Sequence, residues 1–327
     1  MKKRSFGKTG FAISEISLGT WQLGSVWGEP FDQDVAMQTL KNATAADINA
    51  FDTADVYQDG KSEETIGTYI KTLSDKPFII TKTGRRLPAQ TKEGYNEGNI
   101  RSFIDDSRKR LNQETLDMVL LHCPPTDVYY NPEVFKLLDT LKTEGKIKHY
   151  GVSVERIEEG LKALEYEGVD AVEIIFNMFR MRPAEVFFEQ AKLKNVGVIV
   201  RVPLASGLLT GKFNEKTTFN KNDHRTYNRD GAAFDKGETF SGVDYNLGLK
   251  AVDALKKHFN TDNIAPYALR WILMFDAVST VIPGASKPEH IRNNAKAATM
   301  EPLSDKDMAK VREIYDTFIK DPVHHLW

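Results

Sequence analysis

Phe51-Asp52-Thr53-Ala54-Asp55-Val56-Tyr57, continued by Gln58-Asp59-Gly60-Lys61-Ser62-Glu63-Glu64-Thr65-Ile66-Gly67, is the stretch on which the architecture turns. The short apolar run Asn49-Ala50-Phe51 stops at Asp52, and a polar loop carrying Tyr57 follows. Ser62 is a good N-cap, and Glu63 and Glu64 suit the positive start of a helix. Ile66, Tyr69, Ile70 and Leu73 then form one apolar stripe. The expected unit is a strand ending on a carboxylate, a loop carrying a phenol, and a helix.

That unit repeats along the chain. Apolar runs stand at Ile16–Gly19, Asn49–Asp52, Phe78–Thr81, Leu116–Leu121, Ile147–Val152, Ala171–Phe176, Gly197–Val202 and Val278–Ile282. Segments of helical period lie between them. Asn131-Pro132 supplies a cap and first-turn proline, Val134, Leu137, Leu138 and Leu141 a stripe, and Gly145 a stop. Ile157, Leu161 and Leu164 repeat the pattern, as do Ile291, Ala295 and Ala298 behind Ser286-Lys287-Pro288-Glu289, which has capping-box spacing. Eight buried-looking strands alternating with helices predict a single α/β domain over residues 1–327, a (β/α)8 TIM barrel. A doubly wound dinucleotide fold would want Gly-x-Gly-x-x-Gly after its first strand, and Gly19-Thr20-Trp21-Gln22-Leu23-Gly24 does not match. Arg4 to Ile13 reads as an N-terminal hairpin around a Gly-Lys-Thr-Gly turn. Gly211 to about Tyr245 is a long loop after strand seven, of a length usual for lids and binding loops. A C-terminal extension after Pro302 adds a helix. Its His324-His325 pair points two ways and lacks a third ligand, so no metal is expected.

Composition narrows the function classes. The 327 residues carry 44 basic and 46 acidic side chains, net −2, with no long block of one sign. Neither nucleic acid nor an anionic membrane is expected as partner. The one cysteine, Cys123, excludes an internal disulfide and suits a reducing, cytoplasmic setting. No apolar stretch approaches the ~20 residues of a spanning helix, and the charged N-terminus leads into no apolar targeting segment.

In this barrel class the active site lies at the C-terminal ends of the strands. Asp52, Lys82 and His122 close three successive strands, with Tyr57 just beyond the first. Converging there, a carboxylate, an ammonium, a phenol and an imidazole form a proton-transfer site. An unperturbed phenol titrates near ~10, and an adjacent ammonium lowers that value. The carboxylate keeps the ammonium charged, and imidazole can orient a carbonyl oxygen. Such a tyrosine is a general acid for a carbonyl becoming an alkoxide. It supplies a proton but no hydride, so a cofactor is required.

Phe51-Asp52-Thr53-Ala54-Asp55-Val56-Tyr57 with Ser62-Glu63-Glu64, Thr81-Lys82-Thr83-Gly84 and Leu120-Leu121-His122 resemble the signatures of the aldo-keto reductases. The similarity extends from Gly19-Thr20-Trp21 through Val202-Pro203-Leu204 and Leu209-Thr210-Gly211-Lys212 to Ile282-Pro283-Gly284 and Ser286-Lys287. The resemblance implies NADPH laid across the barrel's C-terminal face and hydride passed to an aldehyde or ketone. Tyr57 would be the acid, Lys82 and Asp52 its tuning pair, and His122 the substrate-orienting imidazole. It also implies cofactor contacts from Gly19, Thr20, Trp21, Asp52 and Ser153, and from the Val202–Lys212 loop (Val202, Pro203, Leu204, Ser206, Gly207, Leu209, Lys212) along the pyrophosphate. Gly284 and the helix behind Ser286 would seat a phosphate. Lys287, with His290 or Arg292, would hold a 2′-phosphate, and Asn293 and Asn294 would lie at the adenine.

Three positions depart from the family's usual pattern. Glu173 stands where a glutamine is common, and a carboxylate accepts from an amide NH2 but cannot donate to its oxygen. Arg201 falls where many relatives stack an aromatic ring on the nicotinamide, as a guanidinium plane also can. Cys123 follows His122 where many relatives have tryptophan, which implies a roomier pocket. That pocket would be formed by Trp21, Trp27, Tyr57, His122, Cys123 and Trp327, with part of the long loop, including His224, Arg225, Tyr227 and Arg229, over the cofactor. Two rival expectations are a non-catalytic NADPH-binding partner, as channel-associated members of the family are, and a Schiff-base aldolase using Lys82. The Asp52 carboxylate disfavours the latter by keeping the amine protonated.

Overall fold

The computed structural model describes residues 1–25 and 29–327. Strand β1 (Lys3–Ser5) pairs antiparallel with β2 (Ala12–Ser14), the expected hairpin. A second sheet runs parallel in sequence order through β3 (Leu18–Gly19), β4 (Ala50–Asp52), β5 (Phe78–Thr83), β6 (Leu116–His122), β7 (Ile147–Ser153), β8 (Val169–Ile175), β9 (Gly197–Arg201) and β10 (Val278–Val281). Parallel bridges Ile16↔Val281 and Gly19↔Gly284 join its two edges, so the eight strands close into the (β/α)8 barrel.

Helices cover the outside: α1 (Gln33–Ala45), α2 (Lys61–Ile70), α3 (Glu97–Leu111), α4 (Pro132–Thr143), α5 (Ile157–Ala163) and α6 (Phe187–Leu193) follow successive strands. The long segment after β9 contains the short α7 (His224–Tyr227), and α8 (Tyr245–Phe259) and α9 (Ala265–Leu273) lead to β10. Then come α10 (Pro288–Lys296), α11 (Asp305–Phe318) and α12 (Lys320–Val323). Among the described residues no helix is long and apolar enough to cross a membrane.

Three local expectations differ. Ser62 does not cap α2: the helix begins at Lys61 behind Gly60, whose φ of 91° suits only glycine. The Ser62 side chain is buried and bonds Thr20 and Thr53 instead. Ser286 forms no capping box, because α10 starts two residues later, with Lys287 as N-cap and Pro288 in its first turn. Asn131 precedes α4 as expected, but its side chain makes no cap hydrogen bond.

The strands' period of two sorts each run into two cores. Phe51, Ile79, Val119, Leu121, Val172, Ile174, Val198 and Val200 face the helices in the larger apolar cluster. Ala50, Phe78, Ile80, Met118, Leu120, Ala171 and Ile199 fill the barrel interior, joined from the hairpin by Phe6 and Ile13. Gly197 admits this plug, since a Cβ there would stand 2.4 Å from the Phe6 ring. Continuing the inward parity by one step gives Asp52, Lys82, His122, Ser153, Glu173 and Arg201. The interior is therefore apolar below and ionisable at its top layer.

Candidate active site

Lys82 is fully buried and its ammonium donates three hydrogen bonds: to Asp52 Oδ1 at 2.5 Å, to the Thr53 carbonyl at 3.1 Å and to the Tyr57 hydroxyl at 3.3 Å. Tyr57 reaches it because the chain beyond β4 stays beside β5: Thr53 N–H donates to Ile80 O and Asp55 N–H to Lys82 O. The turn after Tyr57 carries left-handed Gln58 and Asp59. It is pinned by Gln58 Nε2 to Ser25 Oγ at 2.8 Å and by Arg86 to the Asp55 carbonyl and Asp59. Ser62 ties the same turn to Thr20, whose hydroxyl donates to Asp52 O at 2.7 Å.

Burial opposes charge on Lys82, but Asp52, Glu173 and Tyr57 more than offset it and hold the ammonium above its ordinary value. Tyr57 differs from the sequence expectation. Burial pushes its phenol up, Lys82 pulls it down, and Asp52 and Glu173 push it up again, so the net direction is upward. The phenol is thus protonated at neutral pH, the state a general acid requires. Burial, then Arg85, Lys82 and Arg201, drive His122 well below the usual imidazole range, so it faces the site uncharged. Its Nδ1 is buried without a partner, and its ring lies 5.9 Å from that of Tyr57, edge to face.

A cleft of about 420 Å³ opens over this array. Gly19, Thr20, Trp21, Asp52, Tyr57, His122, Glu173 and Arg201 line one end; Lys212, Gly284, Ser286, His290, Asn293 and Asn294 line the other. Val202, Pro203, Leu204, Ser206 and Gly207 run between them. Val202, Ala205, Ser206 and Gly207 all have positive φ, and for a β-branched valine at 50° this is a strained conformation. Asn177 holds it by donating to Val202 O at 2.9 Å. At the far end burial, with Lys212 and Lys287 nearby, holds the His290 imidazole below its usual range despite Glu289. The cleft therefore offers an ionisable end for chemistry and a lysine-flanked end for phosphate, which fits an extended dinucleotide.

The sequence model of the aldo/keto reductase family matches residues 15–316. The chain belongs to the aldo-keto reductase family. It is 28% identical over 327 residues to the aldo-keto reductase YhdN of Bacillus subtilis, covering 99% of this chain and 96% of that protein. It is 27% identical to the NADH-specific methylglyoxal reductase of Escherichia coli, covering 96% and 98%. Among solved structures it resembles the glycerol dehydrogenase AKR11B4 of Gluconobacter oxydans with a TM-score of 0.78 and 28% identity, covering 99% and 98%. This family uses a nicotinamide cofactor.

For this aldo-keto reductase the structure brings most sequence-chosen positions into one place, with exceptions. Ser153 lies beneath the cleft and donates to Glu173 Oε1 at 3.1 Å. Leu209 is buried, Lys287 is exposed beside the far end, and Cys123 sits behind Arg201 at 3.5 Å. Trp327 does not line the cleft. It stacks on Arg180 with 4.3 Å from guanidinium to ring, and its Nε1 donates to Asp235 at 2.9 Å. Trp27 lies outside the described residues. His324 is engaged by Tyr315 and Glu185.

An ion cluster was missed. Arg201 donates to Val154 O at 3.0 Å and pairs with Glu155 at 3.0 Å and Glu238 at 3.7 Å, while Arg85 pairs with Glu238. Cys123, Glu155 and Glu238 present ligand atoms within 4.8 Å of one another, but Arg85 and Arg201 already face these carboxylates. Arg85 follows Gly84 just past a strand end and was legible there. Glu238 comes from the long loop, whose polar sequence carries no periodic signal. Ser206 Oγ binds that loop down, donating to Glu238 O and accepting from Phe240 N–H, each at 3.0 Å.

Proposed function

We propose that this protein reduces a small aldehyde or ketone with hydride from NADPH, and that Tyr57 donates the proton. The observation that carries this is the phenol 3.3 Å from an ammonium that is itself 2.5 Å from Asp52, at the floor of a cleft beside a neutral imidazole. The nicotinamide cofactor supplies the hydride when bound; every other task falls to side chains of this chain. His122 orients the carbonyl oxygen toward the Tyr57 hydroxyl. As charge develops on that oxygen the phenol O–H passes its proton to it, and Lys82 stabilises the phenolate left behind. Trp21, whose ring lies 6.2 Å from that of Tyr57, and Phe234, 6.0 Å from Trp21, wall the site against water.

Lys212 and Lys287 around Ser286 and His290 give the far end a positive field, which favours NADPH over NADH. The single cysteine suits a reducing cytoplasm. The test is loss of reduced-nicotinamide absorbance with a panel of aldehydes, ketones and sugars, run with each cofactor. NADPH oxidation with at least one carbonyl is expected. Oxidation with none overturns the reaction, and a higher kcat/KM with NADH overturns the cofactor choice alone.

A further inference from the structure

Glu173 adds a second anion to the Lys82 site. It projects from β8, across the barrel from β5, and its Oε2 lies 3.5 Å from Lys82 Nζ. An ammonium has three protons, and those of Lys82 are already given to Asp52 Oδ1, Thr53 O and the Tyr57 hydroxyl. Glu173 Oε1 accepts from Ser153 Oγ, but Glu173 Oε2 and Asp52 Oδ2 are both buried without any hydrogen-bond partner. Both carboxyl groups lie against the same ammonium, with Lys82 Nζ 2.5 Å from Asp52 Oδ1 and 3.5 Å from Glu173 Oε2.

Two buried carboxylates, each with a bare oxygen and both held against one ammonium, are unfavourable by desolvation and by like-charge repulsion. One proton placed between them removes one charge and satisfies both bare oxygens. We propose that Asp52 and Glu173 share a single proton, so that the pair presents one negative charge, not two, to Lys82 and Tyr57. Glu173 is then a positioning residue: it acts on Tyr57 only through Lys82 and Asp52.

The groups facing the pair are Lys82 from β5, Tyr57 from the turn after β4, Ser153 from β7 and Arg201 from β9, whose Nε is 4.0 Å from Glu173 Oε1. Neutral His122 closes β6. Arg201 is largely spent on Glu155 and Glu238 and leaves its Nε without an acceptor. Burial, then the Glu173 carboxyl, hold Asp52 well above the usual carboxylate range against the pull of Lys82, the direction that a shared proton requires. Such a pair titrates as a unit and not as two independent acids.

The sharing of the proton stands on geometry; its consequence for Tyr57 rests on the proposed reductase function. Infrared spectra of the full chain at neutral pH, without substrate, test the first part. A protonated-carboxyl C=O band is expected in the wild type and absent from Glu173→Gln, so that it stands out in the wild-type-minus-variant difference, in which other buried acids such as Asp55 cancel. Asp52→Asn serves as the second variant, leaving Glu173 ionised beside Lys82, and is also expected to lose the band. A wild-type-minus-variant difference without such a band, for either variant, overturns the proposal. The pH profile of kcat tests the consequence. In Glu173→Gln, Tyr57 still faces one negative charge, so the alkaline limb stays within about 0.3 pH unit; two independent charges would instead lower it by about one unit. The infrared arm needs no turnover, so a failure of the reductase assignment is distinguishable from a failure of the acid pair.

Discussion

The two ends of the cleft are built on different physical terms. At the Tyr57 end the charges are paired in a largely dry interior: Lys82 with Asp52 and Glu173 on strands, and Arg201 with Glu155 just past β7 and Glu238 from the long loop. At the opposite end, Lys287 is exposed at a helix start and His290 is half-buried. Removing a group from the first end leaves a stranded charge in a dry interior, whereas removing one from the second lets water fill in. The first end is expected to tolerate almost nothing, and the second to tune cofactor choice by small steps.

The largest effect should come from Tyr57→Phe. It removes the proton donor but no charge, so kcat is expected to fall about 10³-fold while the cofactor still binds, as read by protein fluorescence quenching. Retained turnover would break the contrast at its centre. Lys82→Met should come next, leaving Asp52 and Glu173 without their cation. A stability loss of about 3–5 kcal/mol by denaturant unfolding at pH 8 is expected. With the ammonium gone, the two buried carboxyls bind protons more readily folded than unfolded, so the variant should recover stability as pH falls. Loss independent of pH would mean that the site is not electrostatically closed.

Asp55 sharpens the comparison from within the buried end. Both its carboxyl oxygens are buried without partners, and burial, then Glu63, push it up to about 7 against Arg86 and Arg110. The folded state keeps a proton that the unfolded chain sheds from pH ~4, so stability drains as pH rises through that value to about 7. Asp55→Asn should therefore gain Tm over the wild type progressively between pH 5 and 8; a constant difference would contradict it. The smallest effect belongs to the exposed end. Lys287→Ala should raise KM for NADPH about 5-fold, more at low salt, with kcat and NADH kinetics unchanged. An equal change with both cofactors would move the 2′-phosphate contact away from Lys287.

The same division explains what could be foreseen. Strand runs, the barrel and the strand-end residues Asp52, Lys82 and His122 were legible because period two and the class rule act locally along the chain. Tyr57 followed from its distance past Asp52. Glu173 was noticed as a departure, yet its contact with Lys82 crosses the barrel and is invisible to local pattern. Ser62 looked like an N-cap because its type and position fit one, but a buried acceptor network outcompeted the helix end for its hydroxyl. Glu238 and Trp327 owe their places to long-range packing of an aperiodic loop, which no periodicity announces.

The hairpin at the foot of the barrel carries a consequence for how the protein is made. Arg4 donates to the carbonyls of Leu273, Phe275 and Val278, and Phe6 enters an interior that includes Ile199 and Ile282. These contacts span some of the greatest sequence separations in the chain and cost the corresponding loop-closure entropy. On a ribosome, this hairpin can pair within itself and meet Phe78 early, but it lacks its Arg4 acceptors until α9 and β10 have been synthesised. The plug is completed late, so a nascent chain must carry the floor of its barrel only partly closed almost to the end of translation.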